Sequence, residues 1–115
     1  MDEKLEKAIQ TANYMATLTN QRKLALEEFN QSLIYYFGGA SFTATRELIT
    51  FVKALIDSGN TSSVLLDDNS IPVKVEDLQS FYFNVLSVYS EASLAYYVKY
   101  GELKKKRKVE DLVAL

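Results

Sequence analysis

The chain has 115 residues, with 13 Lys and Arg against 15 Asp and Glu for a net charge of -2, and it contains no His, no Cys, no Trp, one Pro and four Gly. Without His or Cys, imidazole triads, thiolate nucleophiles, zinc fingers and iron-sulfur clusters are excluded, and the four glycines never fall in a Walker or dinucleotide-binding spacing. A chain of 13.0 kDa buries about two-thirds of its unfolded surface, so residues 1-115 are expected to fold as one domain without disulfide or metal staples.

The start, Met1-Asp2-Glu3-Lys4-Leu5-Glu6-Lys7, carries charges of both signs with no apolar run after it, unlike a signal peptide. The longest uncharged stretch, Phe29 to Thr45, is too short and too polar to span a bilayer. A cytoplasmic location with no membrane contact is the expectation.

Residues 3 to about 30 read as a helix, because Leu5, Ile9, Ala12, Ala16 and Leu26 fall on one three-four line while Lys4, Lys7, Gln10, Arg22 and Glu27 lie off it. Thr19 and Lys23 interrupt that line, which predicts good packing at the ends and looser packing in the middle unless Met15 and Leu18 widen the apolar face. Leu33 to Thr43 then joins two β-favouring runs through Gly38-Gly39, a pair able to take the positive φ values of a tight hairpin. The alternative is that the first helix runs on to Phe37 and Gly38 is its left-handed stop.

Thr45 reads as the N-cap of a second helix with Glu47 in its first turn, and Leu48, Ile49, Phe51, Val52 and Leu55 form its apolar side until Gly59. After a polar loop, Val64-Leu65-Leu66 and Pro72-Val73-Lys74-Val75 flank the turn residues Asp67 to Ser70, a second hairpin in which Pro72 belongs at an edge or a strand start. In the last helix, residues 76 to 100, Leu78, Tyr82, Val85, Tyr89, Ala92, Tyr96 and Leu103 keep a four-three heptad rhythm that only Lys99 breaks. Gly101 predicts a bend or break, since glycine in a helix interior costs about 1 kcal/mol relative to alanine. At about 1.5 Å per residue such a helix is too long to be covered at its ends by a chain of this size. The heptad line is therefore the expected oligomer interface, made of Leu78, Tyr82, Val85, Tyr89, Tyr96 and Leu103.

Charge is polarised along the chain: residues 1-103 hold 8 basic and 13 acidic residues, whereas 104-115 hold 5 and 2. The run Lys104, Lys105, Lys106, Arg107 and Lys108, with Tyr97 and Tyr100 close by, has the chemistry of a single-stranded nucleic-acid site, positive charge beside stacking platforms. The plain alternative is a solvated helix end whose lysines favour the C-terminal dipole. An acidic protein partner also suits the run, and its letters match a nuclear-import signal. Tyr82, Tyr89 and Tyr96 suit a helix seam better than a base. Asp67-Asp68-Asn69 offers three oxygen side chains, but the alternating ligands, central Gly and distal Glu of a calcium loop are missing, so no metal or cofactor is expected. No carboxylate pair suggests acid-base catalysis, and no enzyme is expected.

Through Gly38-Gly39-Ala40-Ser41-Phe42, the Leu66-Asp67-Asp68-Asn69-Ser70-Ile71-Pro72-Val73 turn and the Tyr-rich last helix, roughly residues 20 to 103 resemble small uncharacterised proteins of tailed phages, notably those of marine cyanobacteria, and a domain attached to some phage tail-fibre proteins. The resemblance implies a phage origin and a role in virion assembly, with a phage or host protein as partner, and it carries over no site residues. In a bacterial host the nuclear-import match is an accident of letters.

The fold expected is α+β and mainly helical: two long antiparallel helices, one shorter helix against them, and two short β-hairpins pairing into a small sheet, followed by a basic C-terminal segment at 102-115. The function expected is that of a non-enzymatic helical interaction or assembly module, a homodimer through the heptad line. The alternative is a single-stranded nucleic-acid-binding accessory protein using the basic run.

Overall fold

The computed structural model describes residues 2-106, in the order α1 (Glu3–Ser32), β1 (Ile34–Phe37), β2 (Ala40–Thr43), α2 (Arg46–Asp57), β3 (Ser63–Leu66), β4 (Pro72–Val75) and α3 (Leu78–Lys105). The expected class is observed: α+β, mainly helical, with two long helices, one shorter helix and two hairpins. The described residues form two compact units, one built from 2-29 together with 94-106, the other from Asn30–Ser93.

In the second unit, Gly38 (φ 56) and Gly39 (φ 82) both take the left-handed conformation that a two-residue hairpin demands, so the first helix stops at Ser32 and the chain turns back. Ile34 pairs with Thr43 and Phe37 with Ala40 in the antiparallel register. Thr45 caps α2 as read, its Oγ1 accepting the Leu48 N–H at 3.1 Å, and Gly59 (φ 93) follows the last turn. Asp77 caps α3 by accepting the Ser80 N–H at 3.1 Å.

The core of this unit gathers Phe42, Ala44, Val52, Leu65, Val75, Leu78, Phe81 and Val85. Phe81 is its hub, since Tyr35, Phe37 and Phe42 meet its ring edge-on with centroids 5.6, 5.5 and 5.1 Å away. Leu48, Ile49, Leu55 and Ile56 of α2 pack against the same cluster.

The two hairpins do not join into one sheet: β1-β2 and β3-β4 are separate two-stranded sheets. The outer edge of β2 is closed instead by the acidic turn. Asp68 donates its N–H to the Ser41 carbonyl at 2.9 Å, and its carboxylate accepts from the Thr43 N–H at 2.9 Å and the Thr43 hydroxyl at 3.1 Å. Those edge groups would otherwise be left open to water or to a further strand.

In the first unit, α1 and the end of α3 pack antiparallel. Phe29 stacks on Tyr96, Leu18 and Ala25 are buried with Leu103, and the Tyr14 hydroxyl donates to the Lys106 carbonyl at 2.8 Å. Two expectations are corrected here. Helix α3 passes through Gly101 without a break, because Leu103, fully buried, anchors the turn beyond it. And α1 packs through Tyr14, Leu18, Ala25 and Phe29, not through the line Leu5, Ile9, Ala12, Ala16 and Leu26, which is exposed throughout. The face with the bulkier aromatic contacts is the one covered.

Candidate interaction surface

Helix α1 carries the largest departure from a self-sufficient fold. All described residues up to Asn13 are exposed, and the aliphatic line that its sequence shows most clearly lies on the uncovered side, with Leu5 51%, Ile9 43% and Leu26 45% exposed. Apolar residues repeating every three or four positions on one face are the usual mark of a helix that has a partner. No partner is provided by the described residues.

The heptad line of α3 is placed differently. Leu78 and Val85 are wholly buried in the second unit, with Tyr82 and Tyr89 half-buried against them; Leu103 is wholly buried in the first unit, with Tyr96 half-buried beside it. Lys53 stands 5.8 Å from the centre of the Tyr82 ring. The seam that sequence reading assigned to a second copy has therefore given its aliphatic members to the chain's own cores, leaving only parts of the tyrosines to face outward. Leu94, Tyr97 and Val98 are the large apolar residues that this end of α3 exposes.

Of the residues expected to bind nucleic acid, Tyr97 is 77% exposed, Lys104 and Lys105 are exposed, and Lys106 is half-buried; Arg107 and Lys108 lie outside the described residues. Tyr100 is half-buried and already engaged, meeting Tyr96 at 6.1 Å and lying 5.2 Å from Lys104 Nζ. Sequence reading missed Arg22, which α1 brings to 5.4 Å from the same ring. Nothing in the sequence joins Arg22 to Tyr100, since it is the pairing of the helices that sets them together.

Asp67-Asp68-Asn69 is a structural turn. Asp67 is only 8% exposed, and its Oδ1 accepts from the Asn69 N–H at 2.9 Å and the Ile71 N–H at 2.8 Å. No group of three or more acidic, His or Cys side chains among the described residues is placed to hold a metal ion. A cleft of about 270 Å³ lies between Ile56, Gly59, Asn60, Thr61, Asp77 and Gln79. There Asn60 donates its side-chain amide to the Leu55 carbonyl, and Asp77 caps α3, so both serve helix ends. No helix among the described residues is long and apolar enough to cross a membrane.

Comparison with protein-family models, with curated proteins and with solved structures returns no match.

Proposed function

We propose that the chain is a non-enzymatic helical interaction module that assembles through the uncovered line of α1, with a second copy as its first partner. The observation that supports this reading is the exposure of Leu5, Ile9, Ala12 and Ala16 as one continuous face. The line is also self-complementary in size. Run antiparallel against itself, Leu5 meets Ala16 and Ile9 meets Ala12, so each layer pairs one large side chain with one small one.

Only three large side chains, Leu5, Ile9 and Leu26, lie on this line, so assembly through it is concentration-dependent rather than obligate. A setting in phage virion assembly, in the cytoplasm of a bacterial host, rests on the resemblance described above and on nothing else.

The test is the solution mass by light scattering over a concentration series. The wild type should rise from the 13.0 kDa chain mass toward twice that value, and Leu5→Glu with Ile9→Glu should hold it at the lower mass. A mass that stays at the lower value for the wild type refutes self-assembly. If polar substitutions of Tyr82, Tyr89 and Tyr96 lower the mass while the α1 variants do not, the seam first read on α3 is the interface.

A further inference from the structure

The α1 line uses none of the positive charge gathered where the end of α3 meets the middle of α1. Lys104 Nζ stands 5.2 Å, and the Arg22 guanidinium carbon 5.4 Å, from the centre of the same Tyr100 ring. Two like charges are thereby held on one side chain, with Lys105 and Lys106 next in sequence. None of these four cations makes an ion pair among the described residues. Counted by unit, residues 2-29 and 94-106 carry eight basic and six acidic groups, whereas 30-93 carry three and seven, so the excess of positive charge belongs to this unit. Converging cations without counter-charges favour an anionic ligand.

Beside them lies a stacking surface. Tyr97, at 77%, is the most exposed large apolar side chain among the described residues. Tyr97, Gly101 and Lys104 are spaced i, i+4, i+7 and share one face of α3. A Cβ at Gly101 would meet nothing within 4 Å, so packing does not account for a glycine that weakens the helix. Its effect is to leave the position between Tyr97 and Lys104 on that face without a side chain.

We propose that Arg22, Tyr97, Tyr100 and Lys104 form a binding site for single-stranded nucleic acid. A base stacks on Tyr97 in the space left by Gly101, and the flanking phosphates are held by Arg22, Lys104 and Lys105. Tyr100 positions the two cations and is not itself a platform. A single strand is preferred to a duplex because only unpaired bases offer their faces to an aromatic ring.

The experiment is fluorescence anisotropy of a labelled oligothymidylate of about 12 nucleotides, titrated with the full chain over a salt series. The single strand should bind more tightly than a duplex of the same length. With three phosphates neutralised, the logarithm of affinity should fall against that of salt with a slope of about -2. Arg22→Gln should reduce the slope by about 0.7. Tyr97→Leu should weaken binding by about 5- to 150-fold and leave the slope unchanged. Far-UV circular dichroism establishes that both exposed-site variants keep their helices, and Lys104→Gln supplies a third variant. The proposal is overturned by the absence of binding at low salt, by equal affinity for the duplex, or by affinities that neither Arg22→Gln nor Tyr97→Leu changes. It is equally overturned if the chain prefers vesicles of phosphatidylglycerol to the oligonucleotide, or if Tyr97→Leu alters only the oligomeric mass. The Leu5 and Ile9 variants should bind the oligonucleotide as the wild type does, so the two proposals fail independently.

Discussion

Replacing Asp67 by alanine separates a structural turn from a metal loop. Asp67 is 8% exposed, and its Oδ1 accepts two backbone N–H groups, from Asn69 at 2.9 Å and Ile71 at 2.8 Å. Its own N–H donates to the Ile71 carbonyl at 2.9 Å, which alanine would keep. The substitution therefore leaves two donors without their acceptor. Each such loss costs about 1–3 kcal/mol, and because Asn69 and Ile71 are themselves exposed, water replaces part of what is lost. The expected destabilisation is about 2–3 kcal/mol, a fall of roughly 10 °C in melting temperature for a chain of this size. Asp67→Asn retains an oxygen at Oδ1 and should cost about 1 kcal/mol or less. Urea unfolding followed by circular dichroism measures both, with millimolar calcium present in a parallel series. A loss under about 1 kcal/mol for alanine, or equal losses for alanine and asparagine, refutes the turn as the reason for Asp67. Stabilisation of the wild type by calcium that Asp67→Ala abolishes would return the loop to the metal chemistry rejected on its spacing.

Two further outcomes test the packing. Phe81→Ala should cost about 3–5 kcal/mol, because a wholly buried ring and its three edge-on contacts are removed together; a loss below about 2 kcal/mol in the same urea assay would show that Phe81 is not the hub of its core. Gly101→Ala should raise the melting temperature, by up to about 1 kcal/mol of stability, since the added methyl meets nothing; a lower melting temperature would show that α3 is not a regular helix through that position.

Much of the fold was legible because it rests on local signals. Gly38-Gly39 forced the first hairpin, Thr45 and Gly59 marked the ends of α2, and the seven-residue rhythm of Leu78, Val85 and Ala92 gave the buried side of α3. What was not legible depends on tertiary choice. Periodicity shows that a helix has an apolar line but not which line will be covered. On α1 the covered residues, Tyr14, Leu18, Ala25 and Phe29, keep an equally regular four-seven-four spacing, but Gln21 fills the slot between and the line mixes a phenol and a small residue among apolar ones, so periodicity did not single it out. Gly101 looked like a break because propensity was weighed without Leu103, whose burial outweighs about 1 kcal/mol. Of the candidate sites, Tyr97 and the lysines were visible as neighbours in sequence, whereas Arg22 joins them only through the pairing of two helices.

One line of α1 is covered and the line read from the sequence is left exposed among the described residues, and this bears on what α1 is for. A helix that serves only its own chain needs one apolar stripe, and a second exposed one is a liability for solubility. On α1 the inner stripe binds Tyr96 and Leu103 of α3, while the outer one, Leu5, Ile9, Ala12 and Ala16, does nothing for the described fold. Its N-terminal third is exposed throughout among the described residues, and a free helical segment of about a dozen residues is marginal in water, so that third draws its order from the packed middle of the same helix. Covering the outer stripe would supply the missing contacts at the point where the helix is least supported. Part of the free energy of assembly would be spent on ordering α1, and the stripe left bare among the described residues is the one where a partner's contacts would steady the helix most.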